Sequence, residues 1–269
     1  MVRRDRSLMV FPVFGGLAGL VVLAIFGGGG AGLYASTDSE PAAIVVLVVG
    51  AYVLIALSIF CNVALTACAT RSLEGEDTTP GEGFAAARGR LGPIFGWAGL
   101  QLVVGGLINL AQMFLREGAG QIVGAVIGGL ANLAWSVATF FVIPIIALEG
   151  LGPKAALKRS LAVVRERWGE GVTGTFAIGG LVFLVAFLPG AVLIGIGIGL
   201  TSSAGVAAGI LIGVGAAVCV IGAVVQTALL AIFKVALYRY ATEDRVFADF
   251  DRDELSAAFR PRRGRPPAI

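Results

Sequence analysis

The residues best equipped for chemistry stand together in one stretch, VIPIIALEGLGPKAALKRSLAVVRERWGE, Val142 to Glu170. A lone carboxylate, Glu149, closes an apolar run, and five cations follow it: Lys154, Lys158, Arg159, Arg165 and Arg167. Such a carboxylate can serve as a general base, a metal ligand or half of an ion pair. The first two uses need a second titrating group or a clustered ligand set. The chain contains no histidine, which removes the usual base near neutral pH and the commonest metal ligand. Cys61, Cys68 and Cys219 form no C-x-x-C. The first two lie about 10 Å apart along one helix, too far for a disulfide within it, so all three read as small apolar packing residues. Gly27 to Gly30 is no phosphate loop, because no Lys-Ser/Thr follows and the run lies in an apolar segment. These residues predict no catalytic group, no metal site and no cofactor, hence a protein that is not an enzyme. At a helix C-terminus the macrodipole disfavours an anion, so Glu149 is expected to form a structural ion pair with Lys154, Lys158, Arg159 or Arg88.

The elements that hold this stretch follow from how charge is distributed. Of 269 residues, 57% are hydrophobic and 14% charged, with a mean hydropathy of +0.92. A soluble domain carries about a quarter charged residues. No Asp, Glu, Lys or Arg occurs in 7–37, 41–70, 91–115, 118–148 or 171–233. A spanning helix needs about 20 apolar residues, so four windows hold one span each. The last holds two, divided at TSSAG (Thr201–Gly205). Backbone amides inside a bilayer must bond within the chain. These windows lack the alternation of a membrane barrel strand. The expectation is an all-α integral membrane bundle over 1–245, with six transmembrane helices at about 8–35, 42–69, 92–115, 121–148, 172–200 and 206–237. A basic, partly disordered tail follows over 246–269. The apolar run within Met1–Ser36 is about twice the length of a signal-peptide core and is expected to stay as the first span.

Lysine and arginine accumulate in cytoplasmic loops. With six spans, one side receives the N-terminus, 71–90, 149–170 and the C-terminal tail, together 19 of the 20 basic residues, and the other receives Arg116 alone. Both termini are therefore expected on the cytoplasmic side of the cell membrane. Short external turns, STDSE, REGAG and TSSAG, leave no outer domain. In the two inner loops an Ala-Ala element leads into Arg and then, nine residues on, Trp: Arg88 with Trp97, and Arg159 with Trp168. This suggests a parallel repeat of span, linker and span. On a helical wheel Leu161, Val164 and Trp168 fall within about 40° of Leu157, with Lys158, Arg159 and Arg165 beside or opposite them. The loops thus predict two cytoplasmic amphipathic linker helices, the second begun by Pro153. Lys154, Lys158, Arg159, Arg165, Arg167, Arg88 and Arg90 are the candidate contacts to anionic lipid headgroups. The tail RPRRGRPP reads as a juxtamembrane polybasic end rather than a nucleic-acid binder.

Within the spans, Pro144 and Pro189 remove helical hydrogen bonds and are candidate kinks. Gln101, Asn109, Asn132 and Gln226 are candidates for a polar path or for bonds between helices. Glycines spaced by four, at 15/19, 92/96, 124/128, 195/199 and 205/209/213, predict close helix packing. No charge lies in the core of any span, which argues against a proton relay or an ion-coupled pump.

The runs TFFVIPIIALEGLGPKAALKRSLAVVRERWGE and FCNVALTACATRSLEGEDTTPGEGFAAARGRLGPIFGWA resemble a family of uncharacterised bacterial and archaeal membrane proteins, domain of unknown function 6159. The likeness runs from about Val2 to Arg245 and is most specific at Pro144, Glu149-Gly150, Lys158-Arg159-Ser160 and Trp168-Gly169. It implies a multi-pass membrane protein and assigns no activity or site residues. A looser likeness, to membrane domains accompanying some glycerophosphodiester phosphodiesterases, lacks the catalytic acidic cluster of those enzymes. The function expected is a non-enzymatic membrane module that engages anionic lipid, or a protein partner, through the basic linkers. The alternative is a transporter or channel for a neutral or lipid-like solute.

Overall fold

A computed structural model describes residues 6–37, 39–167, 180, 182–201 and 205–243. A 3-10 turn, Arg6–Met9, leads into α1 (Val10–Thr37). Then come α2 (Glu40–Leu73), α3 (Pro80–Arg88), α4 (Leu91–Ala119), α5 (Gln121–Ala138), α6 (Val142–Glu149) and α7 (Pro153–Arg167). A π-type turn, Phe183–Phe187, runs into α8 (Leu188–Gly199), and α9 (Gly205–Glu243) follows. No strand occurs among the described residues. Helices α1, α2, α4, α5 with α6, and α9 are long and apolar enough to cross a membrane. The apolar helix Phe183–Gly199 is shorter than a span, and most of the first part of the expected 172–200 segment lies outside the described residues. The described residues therefore hold five candidate spans where charge-free windows predict six. The second Trp of the suggested repeat, Trp168, and the tail 246–269 also lie outside them.

Local sequence explains the breaks. Pro144, third in α6, has no N–H to offer the Phe140 carbonyl four residues back, and its ring crowds that carbonyl. The helix accordingly opens between Ala138 and Val142. Pro189 stands second in α8, and the carbonyl it leaves without a donor, that of Val185, lies in the π-type turn. Gly150 ends α6 at φ +67°, the left-handed conformation glycine adopts freely; its N–H bonds the carbonyls of Ile145 (3.1 Å) and Ile146 (3.2 Å).

The long helices pair as three hairpins: α1 with α2, α4 with α5, and α8 with α9. Small residues form the seams, as expected where backbones approach in lipid. Gly50 leaves no room for a side chain against Phe26, nor Gly128 against Gln112. In the third hairpin the seam differs from the spacing read in sequence. Gly195, Gly199, Gly205, Gly209 and Gly213 have nothing within 4 Å of a β-carbon position. Contact falls instead on Gly190 against Gly215, on Gly197 against Ala208 and Ile212, and on Gly222 against Ala186. A spacing of seven keeps two shallowly crossed helices in register. The three hairpins converge at one end, where α3 and α7 lie. There a shared core forms around Phe11, Leu65, Trp97, Phe141 and Leu237.

Candidate functional site at the linker end

Glu149 is the last residue of α6 and is half-exposed beside α7 and α9. Among the four cations considered for it, Arg159 lies at hand, with Nε 3.6 Å from Oε1. The same carboxylate accepts a hydrogen bond from the Tyr238 hydroxyl on α9. The Arg159 guanidinium is held above its ordinary pKa, first by a hydrogen bond with the Tyr238 side chain, and also by the Glu149 charge against an opposing cost of burial. One carboxylate thus joins three helices. Lys154 and Lys158 are exposed on α7, and Arg88 is exposed at the end of α3. The Arg90 guanidinium lies over Gly150, leaving no space for a β-carbon, so the two linkers meet at this joint.

Helix α7 is clamped to the bundle by a stripe one residue away from the Leu/Val arc of the helical wheel. Ala156, Ser160 and Val163 are buried, at spacings of four and three. Ser160 fills the break between α5 and α6. Its Oγ donates to the Ala138 carbonyl (2.8 Å) and accepts from the Phe141 N–H (3.2 Å), so two backbone groups freed by the Pro144 break are satisfied from α7. Leu157, Leu161 and Val164 are half-buried on the adjoining arc, and Lys154, Lys158 and Arg165 are exposed beyond them. None of the ion pairs among the described residues uses these three cations. Arg167 ends the helix, and its side chain lies outside the described residues.

A second charged cluster escaped the sequence reading. Arg71 pairs with Glu76 and Glu82 at 3.4 Å each, and Arg239 pairs with Glu74 (3.4 Å) and Glu243 (2.7 Å). Arg71, Glu74, Glu82 and Arg239 line a cavity of about 290 Å³. The pairs knit the end of α2 to α3 and α9. Lys234, counted in sequence as the first basic residue of the tail, sits inside α9 with Nζ 5.0 Å from the Phe140 ring centre. Tyr238 and Ser160 were also missed. The available signals were a tyrosine beside arginine at the end of an apolar run, and a small hydroxyl inside a helix opposite a proline.

The polar span residues are not gathered. Asn109 and Asn132 each donate to a carbonyl four residues back in their own helix, Gly105 and Gly128, at 2.9 Å. Gln101 and Gln226 lie half-buried on α4 and α9. None of the four lines the cavities at α1/α2, α1/α9, α4/α5 or the linker end. The geometry offers an anchoring joint with cations displayed beside it.

Apolar helices long enough for a bilayer, gathered at one end by the short helices α3 and α7, give the chain the character of a helical membrane protein. The chain belongs to the family of unknown function DUF6159, which matches residues 41–248. No curated protein and no solved structure matches it.

Proposed function

We propose that the protein is a six-span, non-enzymatic module of a prokaryotic cell membrane, with both termini cytoplasmic, whose linker helix α7 engages anionic lipid of the inner leaflet. The six-span count is supported by the way the chain returns. The start of α1, both linkers and the end of α9 lie at one end of the bundle, and α8 runs beside α9 to the turn at Leu200, at the other end. One observation carries the lipid reading. Lys154, Lys158 and Arg165 stand exposed and outside every ion pair among the described residues, beside the half-buried Leu157, Leu161 and Val164. Ser160 fixes the helix against the bundle and so fixes the direction in which this row faces. A cation near an anionic surface contributes about 1 kcal/mol, so three together favour anionic over zwitterionic lipid by about a hundredfold at low salt. The test is native mass spectrometry of the full chain from mixed phosphatidylglycerol and phosphatidylcholine. The variant Lys154→Ala/Lys158→Ala/Arg165→Ala is expected to lose most of the phosphatidylglycerol enrichment. Unchanged enrichment would retire the lipid reading and leave the row to a protein partner.

A further inference from the structure

We propose that the cleft between α1 and α9, floored by α2, seats one ester-linked glycerolipid, with an acyl chain along the cleft and an ester carbonyl on Ser58 and Asn62. Two neighbouring cavities of about 320 Å³ and 400 Å³ form this cleft. Both are lined by Pro12, Gly16 and Thr227, so they run together. Their combined size is that of a ligand pocket. The wall is apolar along Leu17 and Leu20 of α1 and Val220 and Val224 of α9. Gly16 keeps it open, since a β-carbon there meets nothing within 4 Å.

The floor is different. Ser58 and Asn62 line the cleft from α2, and Thr227 lines it from α9. Thr227, like Thr70 and Thr139, donates its hydroxyl to the carbonyl four residues back in its own helix. Ser58 does not: its hydroxyl bonds no described residue, while its carbonyl accepts the Asn62 amide at 2.8 Å. Asn62 retains a second N–H. An unpaired hydroxyl facing hydrocarbon is costly, which calls for an acceptor within the cleft.

Depth identifies that acceptor. The far end of the bundle is marked by Glu40, by the end of α1 at Thr37 and by the start of α9 at Gly205. Ser58 lies about 27 Å along α2 from Glu40, Gly16 about 32 Å along α1 from Thr37, and Thr227 about 33 Å along α9 from Gly205. The hydrocarbon core is about 30 Å thick. Three helices therefore place the polar floor at the same boundary, between acyl chains and headgroups, where a glycerolipid carries its ester carbonyls. The apolar wall from Leu17 to Leu20 continues into the core, where a chain belongs.

This seat is separate from the cation row on α7, and the test uses a zwitterionic lipid so that the row is not read. The full chain is purified in mild detergent with equal amounts of dioleoyl phosphatidylcholine and its diether analogue, and retained lipid is counted by native mass spectrometry. The diester is expected to be retained about fivefold over the diether, the effect of about one net hydrogen bond. Ser58→Ala/Asn62→Leu is expected to remove the preference. Gly16→Leu is expected to lower retention of both lipids, whereas Gly27→Leu, on the same helix and equally open at the β-carbon, leaves it unchanged. Equal retention of diester and diether by the unaltered chain overturns the ester contact. Retention by Gly16→Leu equal to that of the unaltered chain overturns the seat. Should Gly16→Leu not fold, a phosphatidylcholine with a diazirine in its acyl chain decides the matter on the unaltered chain. Labelling is expected at Leu20 and Val220, and labelling spread evenly over α4 and α5 overturns the proposal.

Discussion

At the linker end, Phe11, Trp97, Phe141 and Leu237 are fully buried, yet farther along the hairpins Leu107 is 59% exposed, Ile122 80% and Val206 82%. The same long helices contribute to both regions. Near the linkers, neighbouring hairpins share one core, and ion pairs and the Glu149 joint bind α2, α3, α6, α7 and α9 together. Beyond it, each hairpin packs mainly on itself through a small-residue seam. An aqueous protein rarely leaves so much contiguous apolar surface uncovered. The difference teaches that the two regions complete themselves with different solvents: one with protein, the other with lipid tails that are as apolar as the side chains they replace.

This contrast can be broken most forcefully at Trp97. Trp97 is fully buried and stacks on Trp135 at 5.9 Å between ring centres. Trp97→Ala is expected to cost about 3–5 kcal/mol, as large aromatic deletions from packed cores do. Leu107→Ala in the exposed region should cost well under about 1 kcal/mol, since lipid or detergent fills the space. Thermal unfolding of the full chain in detergent checks both. Comparable losses at the two positions would mean that the far halves pack against protein, and the contrast would fall.

Ser160→Ala sharpens the same contrast at one atom. It leaves the Ala138 carbonyl and the Phe141 N–H without their partner inside the core, a loss of about 1–3 kcal/mol. Asn109→Ala removes only a bond to a carbonyl that its own helix already serves, and the expected change is about 0.5 kcal/mol or less. Hydrogen exchange at the Phe141 amide should rise in the serine variant alone. Protection unchanged there would show that the α5–α6 break holds without α7.

Much of this architecture can be read from residues. Charge-free windows locate helices because a buried charge in lipid is prohibitive, and Pro144 and Gly150 mark the break and the stop because their backbones permit little else. Tertiary pairing is less legible. Glu149 announces that it needs a partner, but nothing in sequence selects Arg159 over Lys154, since both lie within a turn or two, and Tyr238 is 89 residues away. The glycines show the limit most clearly. Forty glycines in 269 residues generate many four-residue spacings, and only geometry reveals that α8 and α9 use the seven-residue set. Ser160 was hidden for a related reason: a hydroxyl on a linker helix acquires its role only from a proline on another helix.

The smallest expected effect is the most informative about that joint. Glu149→Gln keeps an acceptor for the Tyr238 hydroxyl and removes only the charge opposite Arg159. The side chains are 33% and 41% exposed, and pairs this open to water contribute about 0.2–1 kcal/mol. The loss should shrink in high salt, where exposed charges are screened within about 10 Å or less. Tyr238→Phe leaves the ion pair but strips the carboxylate of its donor, so its effect should persist in salt. Measuring both melting points at low and high ionic strength separates the two contributions. A large, salt-insensitive loss for Glu149→Gln would show a carboxylate screened from water, and the linker end would then extend its protein-solvated core one helix farther, around α7 itself.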